Sequence, residues 1–410
     1  MTQSAHGAHV GPRAPNRRVA IVTTTRADYG ILYWLIREVA ADPELELLLY
    51  VTGSHLSPEF GSTVNQIEAD GLPIKRRIPI LSEADSPMAA TDAAGVATSK
   101  FGRALEEDQP DILVLLGDRY EIVSIALASV LHSVPVAHLH GGELSAGALD
   151  EYFRHAVTKL ASLHFPATDE YRRRVLQLGE QPERIMAVGA PVLDHLHHTE
   201  LLSRASLQAA LGIALDRPTA LVTYHPVTTE PGTNLAAVEA LAEAILAEDS
   251  LQCIFTKANA DVEGRAINQL LASLQSKYPG RFTLVDNMGT KLYFSCLRHF
   301  DLLVGNSSSG IIEAPAFALP VVNVGPRQDG RTRARNIIDV DTTTAGIREG
   351  IRTARSKSFR ATLIGMTNPY DMFGDGNIAG RITAAIKSFL SANYPPNKVF
   401  VDWEAGARRE

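Results

Sequence analysis

Short, almost wholly apolar runs recur along the chain, each separated from the next by room for one helix. No other feature constrains the fold as tightly. In the first half the runs are Val19-Ala-Ile-Val22, Leu47–Val51, Asp111-Ile-Leu-Val-Leu-Leu116 and Val134-Pro-Val-Ala-His138. Between them apolar residues fall at threes and fours, as in Ile31, Leu32, Trp34, Leu35 and Val39, and helices are predicted over Gly95–Leu105 and Ile122–Leu131. Continuous apolar strands are buried on both faces, and alternation with amphipathic helices makes βαβ units around a parallel sheet. The second half repeats the pattern, with predicted strands at Ala220–Tyr224, Gln252–Thr256, Phe282–Val285, Asp301–Val304 and Pro320–Val324. Predicted helices there cover Leu235–Leu246, Ile311–Phe317 and, last, Ile378–Leu390.

The 410 residues therefore divide into two doubly wound, Rossmann-like α/β domains facing a cleft. The expected limits are a disordered leader at 1–17, a first domain at 18–190, a second at 191–376, and a closing helix and tail at 377–410 that returns to the first domain. Lys and Arg number 39 against 46 Asp and Glu, a net charge of −7 that argues against a general nucleic-acid binder. Cys253 and Cys296 are too few for a disulfide framework or a cysteine zinc site; they read as buried thiols in a cytoplasmic protein. No run of about 18 apolar residues is present to span a membrane. The first strand is not followed by Gly-x-Gly-x-x-Gly, which argues against a nicotinamide cofactor, and no Walker loop occurs. No cofactor is expected.

Five polar clusters follow predicted strands: Arg26/Asp28, Asp118/Arg119/Glu121, His138/His140/Glu143, His225, and Ser307–Ser309. Ligands of doubly wound sheets sit beyond these strand ends. Gly305-Asn-Ser-Ser-Ser-Gly310 is either a cradle for a phosphate at a helix N-terminus or an ordinary serine cap. Glu313, one turn on, suits a ribose diol or the helix's first turn. Asp118 reads as a base or as an N-cap, and Arg119 as an anion ligand. Asp150 and Arg154 share a helix face, as a surface ion pair would. His225 suits a leaving diphosphate or a nearby carbonyl, and the loop Gly325–Arg331, with Arg327, a pyrophosphate or solvent. His138, His140 and Glu143 lack the spacing of a metal site, and no metal is expected.

Taken in order, several runs resemble the hydrolysing UDP-N-acetylglucosamine 2-epimerase family. They are Thr24–Gly30, Gly117–Glu121, His138-Leu-His-Gly-Gly-Glu143, Arg154–Lys159, His225-Pro-Val-Thr-Thr229 and Gly305–Glu313. The resemblance extends from about Arg18 to Leu390. It implies the glycosyltransferase-B arrangement, a UDP-sugar in the cleft, and assembly as a homodimer or homotetramer. It also implies a reaction in two stages: UDP is eliminated from C1 as C2 loses its proton, and water then adds to the glycal with C2 inverted. The free sugar produced feeds sialic or legionaminic acid synthesis. On this resemblance Asp118, His140, Glu143, Asp150 and His225 are the catalytic candidates. Arg26, Asp28, Arg119, Ser307, Ser308, Glu313 and Arg327 are the candidates for holding substrate. Many relatives carry glutamate where this chain has His140, so either the imidazole or Glu143 takes over that role. Both UDP-N-acetylglucosamine and a UDP-2,4-diacetamido-2,4,6-trideoxy sugar remain open as substrates. A non-hydrolysing epimerase and a glycosyltransferase are the alternatives.

Overall fold

The structure, a computed structural model, describes residues 16–81, 86–145, 149–227, 232–258, 263–285, 288–392 and 398–402. Most of the expected leader, Thr228 and Thr229, and the tail after Asp402 lie outside the described residues.

Among the described residues, twelve strands form two six-stranded sheets. The first sheet holds β1 (Arg17–Thr23), β2 (Leu45–Thr52), β3 (Ile74–Ile78), β4 (Ile112–Leu116), β5 (Val136–Leu139) and β6 (Leu163–Phe165), in the order β3-β2-β1-β4-β5-β6. The second holds β7 (Thr219–Thr223), β8 (Gln252–Thr256), β9 (Phe282–Val285), β10 (Leu302–Gly305), β11 (Val321–Val324) and β12 (Ile337–Val340), in the order β12-β11-β10-β7-β8-β9. Every neighbouring pair is parallel. Both sheets share one winding: the chain steps outward twice from the first strand, then crosses to its other side. The direction reverses between β1 and β4 and between β7 and β10, which is where such sheets open a crevice for ligands.

Alternation along β1 feeds two cores. Val19 and Ile21 meet Leu32, Leu35 and Ile36 of the helix Arg26–Ala41, together with Ile382 and Ile386 of the helix Ile378–Ser391. Ala20 and Val22 meet Phe101, Leu105 and Ile125 on the opposite face. Full burial of each large apolar side chain contributes about 1.5–3 kcal/mol. The first core also takes in Phe294, Ile311 and Ile312, so apolar packing continues from one half into the other. The helix Ile378–Ser391 packs against the helix Arg26–Ala41. Lys387 pairs with Asp42 at 2.9 Å, and Asp194 accepts the Ile378 and Ala379 amides at 3.0 and 2.8 Å.

Three strands escaped prediction, and all are sheet edges. β3 reads Ile-Lys-Arg-Arg-Ile, β6 has 3 residues, and β12 is partly exposed. Edges are commonly short or charged, which erases the apolar signal. The predicted helix Ile311–Phe317 is instead a short helix, Ser309–Ile312, followed by a 3₁₀ turn, Ala314–Phe317. Pro315 has no amide proton and cannot continue an α-helix.

Candidate functional site

After β1, Thr25 caps the helix Arg26–Ala41. Its hydroxyl accepts the Asp28 amide at 3.2 Å, and the Asp28 carboxylate accepts the Thr25 amide at 3.2 Å and the Thr24 hydroxyl. Asp28 is thus committed to a capping box, while Arg26 is exposed at the strand end. β4 leads through Gly117, at φ +80°, to Asp118. Arg119 Nε donates to Glu121 at 2.7 Å, and its charge acts on Asp28, so these side chains form one group at the β1–β4 reversal.

The adjoining group is buried more deeply. Arg154, on the helix Asp150–Leu160, donates from Nη2 to Asp118 and to Ser145 Oγ (3.0 Å), and from Nη1 to the His140 carbonyl at 2.9 Å. Burial and the nearby Arg331 both disfavour charge on Arg154. An arginine nevertheless stays protonated, and Asp118 supplies the counter-charge. His140 takes φ +63°, unusual for a side chain with Cβ, and this turns its ring back to Glu143, with Nδ1 2.5 Å from Oε1. His140 Nε2 is buried without a hydrogen-bond partner among the described residues. Burial alone would raise the Glu143 carboxyl; His140 and then Arg331, whose Nη1 is 3.4 Å from Oε2, outweigh it and hold the group below its ordinary value.

His138 has a different role. Its Nε2 donates to the Gly117 carbonyl at 2.8 Å, and Thr158 Oγ1 lies 3.2 Å from Nδ1. Burial pushes it down to about 3, so it is a neutral strut under the Asp118 turn, with both nitrogens occupied.

In the second half, His225 lies two residues beyond β7 and Asn306 directly follows β10. The buried Asn306 side chain accepts the His225 amide at 2.7 Å and donates to the His225 carbonyl at 2.8 Å. Gly305, at φ +133°, allows this approach, since a Cβ there would overlap the Thr223 carbonyl oxygen. Arg327 and Gln328 donate to the Asn306 carbonyl at 3.2 and 2.8 Å. The result gathers His225, Ser307, Ser308 and Arg327 around one small-residue turn that opens the helix Ser309–Ile312. Glu313 follows it; burial raises its carboxyl, while the Ser309 hydroxyl and then, more weakly, His140 and Arg331 act on it in the opposite sense. Asp150, at the first position of its helix, lies near enough for its charge to act on Arg331.

The structure therefore brings Asp118, His140 and Glu143 into one connected group, places Asp150 at its edge, and sets the Ser307 turn across from it. Sequence reasoning undervalued three residues. Arg154 was read as half of a surface pair, yet it is 2% exposed. Asn306 was read only as part of the serine loop. Arg331 was read as general loop charge, although it sits four residues after Arg327, spacing that suited a second contact.

The family described as UDP-N-acetylglucosamine 2-epimerase matches residues 37–387. The hydrolysing GDP/UDP-N,N'-diacetylbacillosamine 2-epimerase of Campylobacter jejuni is 39% identical over 323 residues, covering 79% of this chain and 84% of that protein. The hydrolysing UDP-N,N'-diacetylbacillosamine 2-epimerase of Legionella pneumophila is 36% identical over 372 residues, covering 91% and 96%. The crystal structure of UDP-GlcNAc 2-epimerase from Neisseria meningitidis bound to UDP-GlcNAc superposes with a TM-score of 0.77 at 18% identity, over 90% of this chain and 100% of that one. With the paired doubly wound sheets already described, these matches over most of its length make the chain a member of the UDP-N-acetylglucosamine 2-epimerase family.

Proposed function

We propose that the protein is a hydrolysing 2-epimerase of UDP-2,4-diacetamido-2,4,6-trideoxyglucose, releasing UDP and the free 2,4-diacetamido-2,4,6-trideoxymannose. The observation that carries the reading is the His140–Glu143 pair. With the imidazole neutral, Arg331 and the Nδ1 hydrogen bond act to keep Glu143 ionised, Glu143 accepts the Nδ1 proton, and Nε2, buried and unpartnered among the described residues, is left as a proton acceptor. The names of the two curated relatives support the diacetamido sugar over N-acetylglucosamine. The product's substitution pattern suits legionaminic acid synthesis.

In the first stage a base takes the proton from C2, the C1–O bond breaks and UDP leaves with the bonding pair. Asp118, paired with Arg154, and His140 are the proton acceptors on the first half. Because C2–H is weakly acidic, charge on the departing diphosphate must be neutralised as the bond lengthens. Arg26, Arg119, His225, Arg327 and the Ser307–Ser308 turn serve there, and Glu313 holds the ribose. Asp28 contributes by fixing the start of the helix that carries Arg26. In the second stage water gives its hydroxyl to C1, and a proton returns to C2 from the opposite face, supplied by Asp150 or by a His140 that has taken one up.

On this reading the enzyme acts as a homodimer or homotetramer in the cytoplasm. Leu127, Val130 and Leu131 are exposed along the helix Tyr120–Leu131, and an apolar stripe of this kind suits a subunit contact. Light scattering that returns a monomer mass would remove that part of the reading. The function is tested by incubating the protein with the diacetamido UDP-sugar and with UDP-N-acetylglucosamine, following products by NMR. Free UDP and the 2-epimeric sugar from the first are expected. A 2-epimer still attached to UDP would make the protein a non-hydrolysing epimerase.

A further inference from the structure

Arg331 ends the loop that follows β11, and that loop is fastened to both halves. Near its start Arg327 and Gln328 hold the Asn306 carbonyl of the serine turn. At its end the Arg331 guanidinium, 9% exposed, crosses to the first half: Nε donates to the Leu144 carbonyl at 3.0 Å, Nη2 to Ser145 Oγ at 3.2 Å, and Nη1 lies 3.4 Å from Glu143 Oε2. Gly330, at φ +78°, makes the crossing possible, since a Cβ would stand 2.5 Å from Leu144 Cδ1. Thr332, the next residue, is itself held in place. Its amide donates to Tyr171 Oη at 2.9 Å, and its carbonyl accepts Tyr370 Oη at 3.0 Å.

We propose that Arg331 is a positioning residue through which the loop carrying the nucleotide side of the cleft keeps Glu143 ionised and His140 Nε2 free to take a proton. The inference rests on the functional reading above and deepens it. Among the described residues, the groups facing Glu143 are His140 and His138 from β5 and its turn, Arg154 from its helix, Arg331 from the loop, and the Tyr171 and Tyr370 phenols. Arg154 is 3.9 Å from Glu143 and already spent on Asp118, so Arg331 is the nearer of the two guanidiniums. With the second half displaced, or with Arg331 neutral, burial acts against a weaker counter-charge, and the carboxyl takes up a proton at higher pH. Glu143 then no longer accepts the His140 Nδ1 proton, and the imidazole loses its orientation. Seating of this loop on the first half thus prepares the proton acceptor.

The test uses the full chain with Arg331→Met and Arg331→Lys. The methionine variant should move the acid limb of kcat/KM upward by about one to three units, the span for loss of an adjacent opposite charge. Below the limb the rate falls about tenfold per unit. UDP affinity by calorimetry should stay within about threefold, because the contacts of Arg331 are with Leu144, Ser145 and Glu143 rather than the serine turn. Arg331→Lys should restore most of the limb. The Glu143 carboxyl, followed by ¹³C NMR without substrate, should titrate higher in the methionine variant by the same amount. This readout decides the proposal even if neither sugar is turned over, in which case only the functional reading fails. An unmoved Glu143 titration overturns the proposal, as does a UDP affinity that collapses in parallel with rate, which would make Arg331 a diphosphate ligand. Should Arg331→Met not fold, Gly330→Ala displaces the crossing with the charge retained, and an unshifted titration there counts equally against it.

Discussion

Lys398→Met should loosen the far end of the helix that carries Asp150 and Arg154. The Lys398 ammonium reaches the carbonyls of Thr158, Lys159 and Ala161 at 3.3, 2.6 and 2.8 Å and Glu180 Oε2 at 2.6 Å. Those carbonyls end the helix Asp150–Leu160, where orphaned acceptors and the dipole favour a cation. Glu180 also holds Lys159 Nζ at 2.6 Å and His164 Nε2 at 3.1 Å. Burial would raise Glu180; the bonds from His164, Lys159 and Lys398 outweigh it and bring it from 4.5 to about 2. That displacement corresponds to about 3 kcal/mol, divided among three hydrogen-bond donors, of which Lys159 and Lys398 carry charge. The methionine variant loses about 1 kcal/mol of this and about 1 kcal/mol more from the helix-end carbonyls, which keep some access to water. A total near 2 kcal/mol lies below the roughly 3–5 kcal/mol of a buried pair broken outright, because Glu180 keeps two partners. Hydrogen exchange by mass spectrometry reads it directly: amides at 158–165 should exchange about 30-fold faster, while the helix Asn234–Leu246 is unaffected. Glu180 is depressed in the folded state, so its contribution is complete above the unfolded carboxylate value near 4.5 and is lost as pH falls towards about 2. The difference between wild type and variant should shrink across that window. Protection unchanged within about threefold at neutral pH would refute the argument.

Ser307→Ala with Ser308→Ala should weaken UDP by about 1–3 kcal/mol in calorimetry, through lost hydrogen bonds to a charged group; unchanged affinity would remove the turn from the diphosphate site. His140→Ala should lower kcat by about 10²–10⁴, the span for a general acid or base, while His140→Glu keeps appreciable activity and moves a limb of the pH–rate profile. A fully active His140→Ala would shift the proton to Asp118, Glu143 or Asp150. Turnover should survive EDTA; abolition by EDTA with recovery on zinc or magnesium would mean that a metal takes part.

Most of the sheet architecture was legible because buried parallel strands carry an uninterrupted apolar signal. β4 and β7 are buried at every residue. The edges β3, β6 and β12 were not, since an edge needs no such run. The strand-end clusters were legible as positions: in a doubly wound fold the residue after the last apolar one must face the crevice. What each does there was less so. Asp28 and Asp118 read alike in sequence, yet one closes a capping box and the other meets Arg154, because only Asp118 lies beside the helix that begins at Asp150. Arg331 could not be assigned from spacing, since its partners are 186 and 187 residues away and meet it only when the two halves pack.

Isotope incorporation from solvent tests the elimination–hydration account most directly. The diacetamido UDP-sugar is turned over in D₂O, and UDP and sugar are followed by NMR. The account predicts free UDP and a released sugar with inverted C2 carrying one deuterium there. A released sugar with protium at C2 would contradict it, whichever side chain moves the proton.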